Sequence, residues 1–420
     1  MVGRAAHRMF QPGNLPRPTM SHALTDAAID ALKSGYLDLI VDKPMSAISG
    51  TIRGAIVAPL GRKLVVADLA NIEGRVAAWL AGEDWKLQAF RDFDTILGLD
   101  AKGKPIRKGP DLYAVAYARA FNTTTEVVME NKAHGDGLMR QIGKVMELML
   151  QYEGGVSAFL TGAATYGIDL DAMAEAAWPT LPADVVTEAQ GFLDWLYSKA
   201  DATYRKALSE GFDEGGKLTQ AFEAAKLKAR HGLTEKTFLV CDSIKRLWRR
   251  AHPAIASYWK GTFDNPGLSL TIERAINQPG TTMQCRRLKV RVDGFWLRIG
   301  LPSGRALCYP SIRLKGDTIT YTGFNQYTKQ WGTVSSYGGK FFENVTQAVA
   351  ADILFGGMPA IEAEDYLPVL HVHDEIVSET PDTEDFTAAR LCELMCADQG
   401  WNAGLPLAAA GFETYRYRKD

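Results

Sequence analysis

Two acids in this chain, Asp68 and Asp374, stand where an apolar run ends or turns. Leu64-Val65-Val66-Ala67 leads into Asp68, with Glu73 and Arg75 just beyond; Val369-Leu370-His371-Val372 and Ile376-Val377-Ser378 flank the turn of His373-Asp374-Glu375. Both acids are therefore expected at strand edges. Neighbouring carboxylates repel by about 4 kcal/mol at ~4 Å in an effective dielectric near 20, unless they are protonated or bridged by a cation. Magnesium removes that cost. It keeps several waters and completes its octahedron with substrate phosphates, so two protein carboxylates suffice for phosphate transfer. An aspartate at a strand end can also simply cap the next helix, and a His-Asp-Glu triplet recurs by chance.

Between the two acids, Arg140, Lys144, Leu148 and Tyr152 recur every four residues, the spacing of one helix face. Two cations one turn apart suit a triphosphate, and the leucine and tyrosine extend the stripe as a surface for a base. Gly154-Gly155 is expected to stop this helix. Alone, the segment reads first as an ordinary amphipathic helix with a solvated basic end. Its placement between the two acidic turns points to a nucleotidyl-transfer site.

These three motifs resemble those of family A DNA polymerases, the DNA polymerase I-like group, and especially its phage members. The resemblance runs along most of the chain. It includes Gly3-Arg4 and Gln11-Pro12-Gly13-Asn14-Leu15-Pro16-Arg17 near the start. It continues through Gly338-Gly339-Lys340, Glu343-Asn344, Gln347-Ala348 and Asp352 to Trp401-Asn402-Ala403-Gly404-Leu405-Pro406-Leu407 and Arg416-Tyr417-Arg418-Lys419.

The resemblance implies an α+β fold: a right-hand palm with an antiparallel sheet, a mainly helical fingers domain and a hairpin-rich connection. It implies two magnesium ions held by Asp68, Asp374 and the Leu69 carbonyl, with Glu375 in support. Glu73 would close off space at the sugar 2′ position, and Arg140 and Lys144 would hold the incoming triphosphate. Lys144 would also protonate the leaving pyrophosphate. Tyr152 would guard the templating base, His373 would lie near the primer end, and Arg4, Gln11, Asn14 and Gln347 would touch the primer-template duplex. The implied partners are primer-template DNA and deoxynucleoside triphosphates, and the chemistry is two-metal transfer to a primer 3′ hydroxyl.

Three positions depart from the bacterial pattern. Leu148 replaces a large aromatic that packs on the nucleotide sugar. Tyr113, in Asp111-Leu112-Tyr113, replaces a histidine near the phosphates, and a phenol donates a hydrogen bond but carries no positive charge at pH 7. Gly13 replaces a common glutamine. The opening motif also lies within a few residues of Met1, too early for the exonuclease and most of the thumb that precede it in relatives. Proofreading is therefore not expected, and a separate polypeptide is expected to supply those parts, unless the gene product is truncated or split.

Composition fits an intracellular enzyme: 420 residues, 46% hydrophobic and 23% charged, with net charge −2. No apolar run of the roughly 18 residues a spanning helix needs is present, nor a signal-peptide start. The five cysteines make no ligand set, and Cys392 and Cys396 read as buried thiols of a reducing compartment, the host cytoplasm for a phage protein. Basic groups are unevenly placed. Arg4, Arg8 and Arg17 precede any acid; Lys245-Arg246-Leu247-Trp248-Arg249-Arg250 suits either a phosphate backbone or a solvated helix face; and Arg286-Arg287, Lys289 and Arg291 suit an exposed strand edge.

The expected organisation is a first palm portion over 1–83, helical fingers over 84–260, a β-rich connection over 261–338 and a second palm portion over 339–420. Asp184 to Ala200, Lys217 to Ala229 and Phe341 to Phe355 are expected helices, and Leu268 to Trp331 is expected to be hairpins with turns at Asp293-Gly294, Pro302-Ser303-Gly304 and Gly316-Asp317. Three other functions compete. A metal-dependent nuclease leaves the stripe from Arg140 to Tyr152 unexplained. A catalytically silent or incomplete DNA-binding subunit conflicts with intact Asp68 and Asp374. A single-subunit RNA polymerase is disfavoured by Glu73 and Glu375.

Overall fold

The structure, a computed structural model, describes residues 15–16, 20–210, 217–325 and 328–418. In chain order the first elements are α1 (His22–Ser34), α2 (Pro44–Thr51), β1 (Arg62–Leu69), α3 (Ile72–Ala81), α4 (Asp84–Asp94), β2 (Ile96–Leu99) and β3 (Pro105–Arg107). A helical stretch follows: α5 (Leu112–Ala120), α6 (Thr125–His134), α7 (Leu138–Leu150), α8 (Val156–Thr165), α9 (Leu170–Ala177), α10 (Ala183–Ser209), α11 (Lys217–Ala229), α12 (Glu235–Ala251), α13 (Pro253–Trp259) and α14 (Leu268–Asn277). The chain then forms β4 (Met283–Cys285), β5 (Leu288–Asp293), β6 (Trp296–Gly300), β7 (Ala306–Pro310), β8 (Arg313–Lys315), β9 (Thr318–Phe324) and β10 (Trp331–Ser336). It ends with α15 (Gly338–Glu362), β11 (Leu367–Val372), β12 (Glu375–Pro381), α16 (Ala388–Met395) and β13 (Ala409–Thr414). The fold is α+β, with segregated helices and antiparallel sheets.

The chain divides into two compact units. The first comprises Met1–Val76, Ile299–Cys308 and Asn344–Asp420; the second comprises Ala77–Arg298 and Tyr309–Glu343.

The first unit is built on a four-stranded sheet of order β11-β12-β1-β13. Val65 and Val66 suit a pleated, doubly covered strand, and β1 is buried along most of its length between β12 and β13. One face carries Leu64, Val66, Val372 and Val377, packed with Ala58 and Tyr417. The other is covered by α16, whose start is capped by the Thr387 hydroxyl accepting from Arg390 N.

The second unit is mainly helical. α5 packs along α7 closely enough that a Cβ on Gly143 would lie 2.1 Å from the Tyr113 carbonyl oxygen, so only glycine permits that approach. α12 is buried from Thr237 through Ile244 and again at Trp248. Hairpin sheets follow, with turns at all three of the expected positions.

Four expectations change. The helix from Arg140 ends at Leu150, two residues short of Tyr152; the left-handed residue that turns the chain is Glu153 (φ +65°), not either glycine. Gly154 has another reason to be glycine, since its Cβ would meet the Met149 carbonyl at 2.0 Å. Leu268 to Asn277, placed among hairpins by its β-branched content, is a helix whose buried Leu268, Thr271, Ile272 and Ala275 follow helical spacing. The β2–β3 hairpin interrupts the expected helical region.

Much of the basic run of α12 is engaged by acids of the same chain, with Lys245 buried, Arg246 half-buried and Arg250 at the exposed end. Lys245 is buried against Asp242, Arg246 pairs with Asp242 (2.7 Å) and Glu188 (2.9 Å), Arg250 pairs with Asp184 (2.7 Å) and Glu188 (2.8 Å), and Trp248 is fully buried. Arg286 likewise turns inward, donating to the Ala254 carbonyl (2.9 Å) and the Ser257 hydroxyl (2.7 Å), and Arg287 donates to the Trp79 carbonyl (3.2 Å). Only Lys289 and Arg291 occupy the exposed positions of a strand.

Candidate active site

In the first unit, β1 and β12 run antiparallel in a register that sets Asp68 directly opposite Glu375. Opposed residues share a face of the sheet. Asp374 occupies the two-residue turn that joins β11 to β12, where His373 adopts a positive φ of +59°. Its main chain is tied to the strand, because Leu69 N donates to the Asp374 carbonyl at 3.1 Å. The hairpin turn and the end of β1 are thus joined where the acids stand. Asp68 and Asp374 are half-buried and His373 is exposed. A histidine held at positive φ is uncommon, and such backbone clusters at functional sites.

Glu375 differs from the other two acids. It is 1% exposed and accepts a hydrogen bond from the Tyr417 hydroxyl. Burial and the neighbouring Glu375 carboxylate push the Tyr417 phenol well above its ordinary value, so it remains a donor. The buried Arg53 guanidinium donates to the same hydroxyl (3.1 Å) and to the Leu15 (2.7 Å) and Pro16 (3.0 Å) carbonyls. No periodic or spacing signal marks Arg53, and Tyr417 stands out only within the closing Arg416-Tyr417-Arg418-Lys419 of the resemblance; the two lie far apart along the chain.

Oxygen donors from Asp68, Asp374 and the Leu69 carbonyl fit magnesium, which favours hard ligands and needs few from protein when phosphates supply the rest. Among the described residues no group of three or more His, Cys, Asp or Glu side chains gathers as a ligand set. Glu375 is turned toward Tyr417. Glu73 sits in the first turn of α3, just past the strand end.

In the second unit, α7 buries Ile142, Val145, Met146, Glu147 and Leu150, leaving Arg140 and Lys144 half-buried and Leu148 37% exposed. Those three do share a face. Arg140 Nε lies 2.8 Å from Asp111 Oδ2, and its guanidinium stands 5.3 Å from the Tyr113 ring centre. Asp111 also caps α5 through Tyr113 N and Ala114 N, a cap legible as an acid before an apolar helical run. Lys144 Nζ is 4.0 Å from the centre of the Tyr166 ring. Burial, with the Glu147 charge nearby, raises the Tyr113 phenol, which is therefore neutral.

Tyr152 packs edge-on against Phe342 at 5.9 Å, and Glu153 accepts from Gly339 N (2.9 Å). A Cβ on Gly339 would lie 2.4 Å from the Tyr152 carbonyl and one on Gly338 1.9 Å from the Trp259 carbonyl, so both positions require glycine for close packing. Behind the cation face, Glu147 is sealed in the core between Lys86 Nζ (2.5 Å), His252 Nε2 (2.7 Å) and Trp248 Nε1 (2.8 Å). Gln347 is half-buried on α15. Arg4, Gln11, Asn14 and Gly13 lie outside the described residues.

No family model matches the chain. It is 28% identical over 430 residues to the DNA polymerase of Bacillus phage SP02, a match that takes in 100% of this chain and 51% of that protein. The chain thus spans about half the length of that curated relative. Among solved structures it is similar to the POL domain of Pol1 from M. smegmatis in complex with DNA primer-template and dNTP, with a TM-score of 0.44 and 16% identity over 88% of this chain and 42% of that one. The resemblance carried by the motifs is borne out, and from end to end the chain is similar to a DNA polymerase of a phage.

Proposed function

We propose that the chain is a DNA-directed DNA polymerase that adds a deoxynucleotide to a primer 3′ hydroxyl and releases pyrophosphate. The observation that carries this reading is the acid ladder, in which Asp68 stands across from Glu375 and beside the turn bearing Asp374. Asp68, Asp374 and the Leu69 carbonyl would hold two magnesium ions, which when bound activate the primer hydroxyl and neutralise the triphosphate. Glu375, held by Tyr417, fixes the position opposite Asp68. Glu73 is assigned to the sugar, where it selects deoxynucleotides.

Arg140 and Lys144 are the triphosphate ligands in this reading. Arg140 exchanges its contact with Asp111 for a phosphate, Tyr113 offers a neutral hydroxyl donor, and Lys144 passes a proton from Nζ to the leaving pyrophosphate. Leu148 and Tyr152 take the base and sugar surface, while His373 and Gln347 take the duplex. The test is extension of a labelled primer with magnesium, comparing deoxynucleotides with ribonucleotides and wild type with Asp68→Ala. Deoxynucleotide-dependent extension that disappears in the variant supports the reading; extension that survives in Asp68→Ala refutes it. The competing reading is a DNA-binding part that needs another polypeptide for activity. It predicts DNA binding without extension.

A further inference from the structure

The β2–β3 hairpin is built firmly at its base and exposed everywhere else. All seven of its strand residues are exposed. Ile96 (55%), Leu97 (67%), Leu99 (65%) and Ile106 (47%) present large apolar side chains, with the register slipping by one residue at Leu97. A two-stranded ribbon that buries neither face is marginal in water, and an apolar patch left open marks a binding surface.

The ribbon is nonetheless ordered by its own contacts. At the base, Arg107 donates to the Phe93 carbonyl (2.6 Å) and stacks over the Phe93 ring, and Lys108 pairs with Asp92 (2.8 Å). At the tip, one Asp100 carboxylate oxygen accepts from Lys102 N and Lys104 N, both 2.8 Å. That turn leaves the Lys102 and Lys104 side chains exposed. Residues 96–108 carry four cations against one acid, in a chain whose net charge is −2.

We infer that this ribbon is a contact for duplex DNA, with Lys102 and Lys104 on phosphates and the two leucines and two isoleucines against sugars and base edges. The inference rests on the polymerase reading. Charge complementarity favours a polyanion over a protein surface, a two-stranded ribbon fits the width of a DNA groove, and exposed Leu, Ile and Pro side chains are the kind that wedge into one. Pro105 opens the second strand beside Leu99, its register partner.

The test measures equilibrium binding of the full chain to a primer-template duplex across a salt series. Variants are the double substitution Lys102→Ala with Lys104→Ala, and the double substitution Leu97→Ser with Leu99→Ser. Loss of two phosphate contacts should weaken binding about 10-fold at low salt and reduce the slope of log K against log salt by about 2. Wild-type binding matched by the lysine variant in both affinity and slope overturns the ribbon contact and leaves the polymerase reading intact. A wild-type chain that does not bind primer-template overturns both. A serine variant that binds DNA normally but loses self-association seen in wild type by sedimentation would make the ribbon a protein interface and likewise overturn the inference.

Discussion

Tyr417 donates a hydrogen bond to Glu375, and Glu375 lies directly across the ladder from Asp68. One phenol therefore fixes the carboxylate that stands opposite Asp68. Arg53 extends the chain of contacts by holding the same phenol and the Leu15 and Pro16 carbonyls.

Replacing Tyr417 with Phe removes one partner of a nearly inaccessible carboxylate while keeping the ring in the apolar cluster. The expected loss is about 1–3 kcal/mol of unfolding free energy, read from denaturant midpoints at constant slope. If the ladder holds magnesium, half-maximal extension should also require more magnesium. A stability loss with an unchanged magnesium requirement would confine Tyr417 to a structural role.

Asp374→Asn keeps the shape of the turn residue and removes its charge. Losing several kcal/mol of charge stabilisation should lower the extension rate at least about 100-fold, with primer-template affinity close to wild type. Single-turnover extension and a binding titration measure the two effects separately. Unchanged synthesis would refute the metal assignment.

Much of the candidate site was legible because short-range patterns carry it. The apolar run into Asp68, the hairpin around Asp374 and the four-residue spacing from Arg140 to Leu148 each specify one element, and each element formed. What stayed hidden depends on long-range pairing. No local pattern says that Lys245, Arg246 and Arg250 meet Asp242, Asp184 and Glu188, so a run of cations reads the same whether it faces phosphate or its own acids. Tyr152 was drawn onto the helix by its spacing alone, and spacing cannot register the positive φ of Glu153 that turns the chain.

Glu147 supplies a pH dependence with a defined sign. Burial raises its carboxyl, but Lys86 and His252 outweigh burial and hold it well below the ordinary 4.5. A depressed folded-state value means the stabilisation is fully present above the unfolded value and is lost as pH falls through the folded one. Wild type should therefore lose stability below about pH 4.5, and Glu147→Gln, which leaves Lys86 without its counter-charge, should cost about 3–5 kcal/mol at pH 7 and lose less on acidification. Thermal or denaturant unfolding between pH 3 and 7 measures both.

Gly143→Ala should separate α5 from α7, since the added methyl would overlap the Tyr113 carbonyl. A cost of about 1–3 kcal/mol is expected, and because Asp111 caps α5 and Tyr113 lies in its first turn beside Arg140, nucleotide KM should rise more than kcat falls. Steady-state kinetics against nucleotide concentration checks the split. Equal loss in both constants would argue against the α5–α7 spacing as a determinant of nucleotide binding.

The sheet of the first unit also sets an order of events during synthesis of the chain. β1 is the second strand counted from β13, yet its neighbours on both sides, β12 and β13, are made some 300 residues later, as the 350-residue span of the Lys63–Glu413 contact illustrates. A nascent chain that has just released β1 from the ribosome carries a doubly apolar strand with both edges open, and must keep it from pairing wrongly until the rest arrives. The acid pair thus comes together only after the whole stretch from α4 to α14 has been made and can pack.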